Sequence, residues 1–249
     1  MQAVKSLVQR AKDVSGPAPL PDISVPSNIQ VIISSSGNDR VHALLGAKDE
    51  LTSFSDRLGE LERRSKSRTT ALALARSLAT CSAGLETASA VRNRLDALVA
   101  SRDLLADADP VAPIVKDLAD ALRDAIHSAA GALRDARKQA AESLEAQSVW
   151  KTLEPAQGAS LLADHHLTAE PEPKLADPSA VLAAAQARPL QGWTAELDAI
   201  PQRASRALEA ALRLTTPAAK TVTVTVSTAS LSSSDEVERY IDELRSQLL

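Results

Sequence analysis

The stretch PIVKDLADALRDAIHSAAGALRDARKQAAESLEAQSVW, residues 113–150, decides the fold of this chain. Read as an α-helix, it places apolar residues on one face at successive spacings of three or four. These residues are Val115, Leu118, Leu122, Ile126, Ala129, Leu133, Ala136, Ala140 and Leu144. Charged residues occupy the other faces, among them Arg123, Arg134 and Arg137, in the pattern of a solvated helix surface. The sequence predicts one long amphipathic helix that needs apolar partners along its length.

The composition favours helices in the rest of the chain as well. The 249 residues are 44% hydrophobic but only 2% aromatic, and alanine and leucine dominate the apolar set. Residues of this kind lose little rotamer freedom in a helix. The formal net charge of −4 gives no overall basic field, which argues against nucleic-acid binding by the whole surface. A local basic patch is compatible with this charge.

The sequence also predicts the cellular compartment. Cys81 is the only cysteine, so an intramolecular disulfide and a cysteine-rich zinc module are both excluded, in keeping with a reducing cytoplasm. Charged residues interrupt the first 14 positions, so they lack the apolar core of a signal peptide. No apolar run approaches the roughly 20 residues that span a bilayer. We therefore expect a soluble cytoplasmic protein that makes no membrane contact.

Residues 1–36 are predicted to form an N-terminal helix followed by a proline-rich linker. Four prolines between positions 17 and 28 favour an extended connector, because proline fixes φ and restricts the residue before it. Segment 29–36 has two interpretations. Its β-branched residues favour a strand, whereas Ser27 as a cap and Gly37 as a stop frame a short helix.

Residues 37–150 are predicted to form an elongated antiparallel helical bundle or coiled coil. Helical spacing of apolar residues predicts three helices before the long one. The first ends near Arg64, and a polar, basic junction at 65–70 follows it. The second extends from Leu72 to Leu85 and the third from Val91 to Leu105. The connections are short, which indicates antiparallel neighbours. We expect these helices to cover the apolar face of the long helix.

Residues 151–249 are predicted to form a small, mostly α subdomain with a strand-helix ending. Segment 190–214 has helical spacing but is interrupted or bent at Pro201. Segment 221–226 alternates threonine and valine, the pattern of a strand with one buried face. A final helix follows, with Ser234 or Asp235 as its cap. Its apolar residues are Val237, Tyr240, Ile241, Leu244 and Leu248. Because a lone strand needs a partner, we expect the subdomain to be truncated and the chain to be a fragment. The predicted fold class is mainly α.

No residue pattern in the chain indicates catalysis, a cofactor or a metal. Neither of the glycine-rich nucleotide-binding loops occurs, so we expect no ATP hydrolysis by this chain. His165 and His166 are adjacent, which on a helix points them about 100° apart and prevents joint ligation of one metal. Cys81 has no histidine nearby in the sequence, which favours helix packing over nucleophilic catalysis.

Six residues are candidates for interactions. Arg63, Arg64, Lys66 and Arg68 form the one dense basic cluster and are the candidate nucleic-acid contact, with a solvated turn as the alternative interpretation. Trp150 and Trp193 stand out because aromatic residues are so few. A tryptophan buries much apolar surface, so each is either an anchor of the core or a contact residue for a partner.

Several stretches resemble, in order, the C-terminal region of the large P-loop ATPases of bacterial phage-resistance systems. These are the BREX and phage-growth-limitation class, or PglY/BrxC-like proteins. The stretches are GNDRVHALL at 37–45, ADADPVAPIVKDLADALRDAI at 106–126, VWKTLEPAQGASLLADHHL at 149–167, ARPLQGWTAELDAIPQRASRAL at 187–208, and the strand-helix ending. The resemblance implies that the ATPase core, with its ATP and Mg²⁺, precedes this region. No ATP-site residue carries over to this chain.

These observations lead to two functional hypotheses. The first is a non-catalytic scaffold of a phage-defence ATPase, which mediates assembly with itself or with other proteins of the defence system. The second is a nucleic-acid-contacting coiled-coil arm of the same kind of complex, for which the basic cluster is the motivating feature.

Overall fold

A mainly α architecture is confirmed by the computed structural model, which describes residues 1–216 and 232–248. Those residues contain ten α-helices and no strand. The helices are α1 Gln2–Val14, α2 Ser27–Ser34, α3 Gly37–Gly46, α4 Lys48–Cys81, α5 Ser89–Ala100, α6 Ala112–Ala146, α7 Pro155–Asp164, α8 Pro178–Ala187, α9 Leu190–Thr215 and α10 Ser234–Leu248. Two short 3-10 turns, Glu86–Ala88 and Trp150–Thr152, precede α5 and α7.

Helix α6 is the long helix that the sequence predicts, and it is the spine of the bundle. It packs against α4, α5, α8 and α9. Its apolar face is buried, with Leu118 and Leu122 completely covered and Ile126 1% exposed. Asp109 caps its start, since its carboxylate accepts hydrogen bonds from the backbone amides of Val111 (2.8 Å) and Ala112 (3.2 Å). The helix ends at Ala146, four residues before the predicted end.

Helix α4 corrects the prediction of two helices separated by a basic junction. The helix continues without a break through residues 65–70. No proline or glycine interrupts this segment. The hydroxyl of Thr70 donates to the carbonyl of Lys66 within the helix, and the Arg68 side chain turns inward. The break lies earlier in the chain, at Ala47, which separates α3 from α4.

The open question about segment 29–36 is decided in favour of a helix. Helix α2 buries Ile29 and Ile32 completely, three residues apart on one face, and leaves Val31 half exposed. Helix α9 runs through Pro201 without interruption, as a single helix of 26 residues. The final helix begins at Ser234, one of the two residues predicted to cap it. The predicted strand at 221–226 lies outside the described residues.

Helices α8 and α9, which follow residue 150, pack onto the same spine. Helix α9 lies along α6, α8 contacts both α4 and α6, and α7 contacts α9. One cluster of buried apolar residues extends from Val4 to Ala211. None of the helices within 1–216 and 232–248 is long and apolar enough to cross a membrane.

Candidate functional site

The predicted basic cluster lies on α4 beside the loop that leads into α6. Arg68 is only 5% exposed. Its guanidinium group donates hydrogen bonds to the carbonyls of Leu104 (3.0 Å), Ala106 and Asp107 (3.4 Å). Its Nε lies 3.8 Å from Oδ1 of Asp109, the residue that caps α6. Arg68 therefore fixes the loop in which α6 begins, and its charge faces the protein interior.

Acidic side chains neutralise two further members of the cluster. Arg64 Nε donates to Glu60 at 2.8 Å, and Arg64 Nη1 donates to Asp107, also at 2.8 Å. These hydrogen bonds, from Asp107 first and then Glu60, raise the pKa of Arg64. Glu60 also accepts from Arg63, and hydrogen bonds from Arg63 and Arg64 lower the pKa of Glu60. Lys66 is exposed and forms no ion pair within the described part of the chain.

A second cluster of charged side chains joins α6, α9 and the segment before α8. Arg137 Nη2 donates to Glu170 at 2.8 Å and to Glu196 at 3.1 Å. Arg188 pairs with the same two carboxylates, at 3.1 and 3.3 Å. The Arg188 guanidinium also lies over the indole of Trp193, 4.2 Å from the ring centroid. The hydrogen bond from Arg137, followed by the one from Arg188, lowers the pKa of Glu170.

This second cluster corrects the prediction that Arg137 lies on a solvated face. Arg137 is 3% exposed, because the segment around Glu170 and the start of α9 cover it. Two buried nitrogen donors of this cluster, Arg137 Nε and Trp193 Nε1, have no hydrogen-bond acceptor among the described residues. Both side chains line a cavity of about 20 Å³. Such a volume accommodates one water molecule.

Both candidate tryptophans are buried in the hydrophobic core. Trp193 is 9% exposed and Trp150 is 7% exposed. Trp150 lies against the first turn of α7, where a Cβ on Gly158 would come within 3.2 Å of its indole nitrogen. Glu154 and Gln157 close a capping box at the start of that helix. Neither ring is open to a partner in this conformation.

The residues considered for chemistry lie at helix ends. Cys81 is the last residue of α4, and burial raises the pKa of its thiol, which disfavours the nucleophilic thiolate. His165 follows the last residue of α7. His166 comes next, with a left-handed φ of 54°. Within the described residues, no group of three or more histidine, cysteine or acidic side chains is arranged to hold a metal ion.

Apolar residues are open to solvent on α2 and α3. Val41 and Leu45 lie one turn apart on α3 and are 53% and 69% exposed. We call these two residues the N-terminal surface. On the other side of α3, Val31 of the adjacent α2 is 50% exposed and lines a cavity of about 250 Å³ with Asn28, Ala43, Gly46 and Ala47. The sequence reveals the apolar character of these residues but not their exposure.

A second apolar surface is the α6–α9 groove, with a volume of about 450 Å³. Its α6 wall includes Ala136, Gln139, Ala140 and Ser143. Its α9 wall includes Leu197, Pro201, Ala204, Ser205 and Leu208. Most of these side chains are small or apolar.

The comparisons with known proteins identify no relative of this chain. No protein-family model, no curated protein and no solved structure matches this chain.

Proposed function

We propose that this chain is a non-catalytic helical scaffold of a bacterial phage-defence ATPase. Through it, that ATPase assembles with itself or with other proteins of the defence system in the cytoplasm. The observation that carries the interaction role is the N-terminal surface. It exposes Val41 and Leu45, one turn apart on α3, each by more than half. Contiguous exposed apolar residues on a soluble protein mark sites of protein–protein contact.

The rest of the fold suits a scaffold. The spine α6 has 35 residues, and a helix of that size is about 50 Å long. Other helices pack against it along its length. Buried arginines fix the loop before the spine and the segment beside it, as Arg68 and Arg137 do. A rigid helical bundle of this kind holds its binding surface at a fixed distance from a neighbouring domain of the ATPase.

The link to phage defence depends on the resemblance of the five sequence stretches. It predicts that the complete reading frame encodes a phosphate-binding loop ahead of this region, and that ATP and Mg²⁺ bind there. Sequencing that frame together with its neighbouring genes tests the assignment. A frame without such a loop contradicts it. The purified chain should show no ATP turnover above a buffer control, and measurable turnover would contradict the non-catalytic role.

The alternative function, a nucleic-acid-contacting arm, depends on the two exposed residues of the basic cluster, Arg63 and Lys66. Arg63 has a side chain that is 74% exposed, and Lys66 is exposed and unpaired within the described residues. Arg68 is buried and Arg64 is paired twice. A phosphate group could reach Arg63 and Lys66 without disturbing the loop before α6.

A further inference from the structure

A small cavity lies where α6, α9 and the segment before α8 meet. Arg137 of α6 and Trp193 of α9 line it, together with Glu170 and Glu172 of that segment. Arg137 is 3% exposed and Trp193 is 9% exposed, so bulk water solvates neither side chain well. Arg137 Nε and Trp193 Nε1 nevertheless find no acceptor among the described residues. Two buried donors without acceptors thus border the same cavity.

Buried donors of this kind call for an acceptor. A donor that gives up its hydrogen bond to water on folding, and gains no other, destabilises the fold. For this reason most buried polar atoms in folded proteins have a partner, which is either a protein atom or an ordered water. One of the two donors here belongs to a charged guanidinium group, for which the loss is larger. A single acceptor inside the cavity can serve both.

The volume of the cavity, about 20 Å³, limits the size of that acceptor. A site for one water molecule needs at least about 10 to 15 Å³. One water therefore fits, and a larger solute does not. Buried waters typically make about three hydrogen bonds to polar groups that have no other partner, so the occupant also needs acceptors on the wall.

The carboxylates on the wall select water over an anion of similar size. Glu170 accepts hydrogen bonds from Arg137 and Arg188, and Glu172 accepts one from Arg134. Because a carboxylate has about four lone-pair sites, both side chains can accept a further hydrogen bond. A water molecule can donate to them while it accepts from the two nitrogens. A halide ion cannot donate, and the negative charge of the carboxylates repels it.

We propose that this cavity binds one ordered water molecule, which accepts from Arg137 Nε and Trp193 Nε1 and donates to Glu170 or Glu172. The water joins the spine, α9 and the segment before α8 through hydrogen bonds, beside the ion pairs of Arg137. It thereby helps to fix α9 on the spine. The site uses no residue of the N-terminal surface, so its failure leaves the proposed function untouched.

Solution NMR of the full chain tests the site at the indole N–H proton of Trp193. We expect cross-peaks between this proton and water, with NOE and ROE of opposite sign. That combination identifies a water that stays bound far longer than surface water does. Cross-peaks that are missing, or that have the signature of surface water, would overturn the proposal.

Two valine variants separate a bound water from an empty cavity. Ala130 lines the cavity, and its partly buried neighbour Ala129 on the same helix does not. Ala130→Val fills the cavity and should abolish the water cross-peaks, whereas Ala129→Val should keep them. Ala130→Val should also unfold at a lower urea concentration than Ala129→Val, because the two donors lose their acceptor. The reverse order of the two midpoints would overturn the proposal, since filling an empty cavity improves packing.

A crystal soaked in bromide distinguishes water from an anion. We expect an ordered water in the cavity and no anomalous peak at bromine's absorption edge. An anomalous peak between Arg137 Nε and Trp193 Nε1 would identify a halide site and overturn the assignment to water.

Discussion

Arg137 of α6 and Glu196 of α9 form an ion pair at 3.1 Å with the arginine 3% exposed, so the spine and the helix beside it are joined by a buried charge. Glu170 accepts from the same guanidinium nitrogen at 2.8 Å. One arginine therefore holds two segments that lie 33 and 59 positions further along the chain. The position of α9 on the spine therefore depends on these charged side chains as well as on the apolar stripe of α6.

Replacing Arg137 should destabilise the fold much more than replacing its neighbour Arg134. We expect Arg137→Met to lower the free energy of unfolding by about 2 kcal/mol, since Glu170 and Glu196 lose the more deeply buried of their two arginine partners and keep only Arg188. The matched control, Arg134→Met, removes a half-exposed ion pair with Glu172 and should change the free energy by less than about 1 kcal/mol. Urea unfolding followed by circular dichroism measures both. Similar losses in the two variants would contradict the role of Arg137.

The same cluster makes stability depend on pH. The folded-state pKa of Glu170 lies below its ordinary value because Arg137 and then Arg188 donate to its carboxylate. Its contribution is therefore fully present above the unfolded pKa, about 4.3, and is lost as the pH falls through the lower folded pKa. Unfolding measured from pH 7 to pH 3 should show a smaller loss of stability in Glu170→Gln than in the wild type. Parallel pH profiles would show that the ion pairs of Glu170 are irrelevant to stability.

The basic cluster on α4 should separate into structural and exposed members. Arg68→Gln should lower the free energy of unfolding by about 2 kcal/mol, because the buried carbonyl of Leu104 and the partly buried carbonyl of Ala106 lose their donor. Lys66→Gln, on the same helix, should change it by less than about 0.5 kcal/mol.

DNA binding at low salt then tests the alternative function with a well-folded protein. The variant for this purpose combines Arg63→Gln with Lys66→Gln and keeps Arg64 and Arg68. Binding that this variant loses would support a nucleic-acid arm, with a salt dependence reduced by about one per phosphate contact removed. DNA binding equal to that of the wild type would exclude the basic cluster as the nucleic-acid contact. We expect no loss, because the proposed scaffold role makes no use of these two residues.

Local periodicity was enough to predict the spine. Among the α6 residues that recur at three and four positions, the fold buries the large ones and partly buries Ala129, Ala136 and Ala140. The buried residues are Val115, Leu118, Leu122, Ile126, Leu133 and Leu144. A final helix was predicted as well, and α10 begins at Ser234, one of its two predicted caps. Both predictions depend only on neighbours within one helix, and such spacing can be read directly from sequence.

The burial of Arg68 and Arg137 could not be predicted in this way. Their acceptors lie more than 30 positions away, in the loop before α6, the segment around Glu170 and the start of α9. An arginine on a helix has the same sequence signature whether solvent or a distant carboxylate faces it. Segment 65–70 was misinterpreted for the same reason, since its basic residues resemble a solvated turn until the 104–109 loop covers Arg68.

The most direct test of the scaffold role is sedimentation velocity of the chain, alone over a concentration series and mixed with each protein encoded beside it. We predict a species larger than the 26.2 kDa monomer in at least one of these samples. Val41→Asp combined with Leu45→Asp should abolish it, whereas Leu214→Asp, an equally exposed apolar residue on α9, should leave it unchanged. A monomer in every sample, or an assembly that survives the Val41 and Leu45 substitutions, would contradict the account.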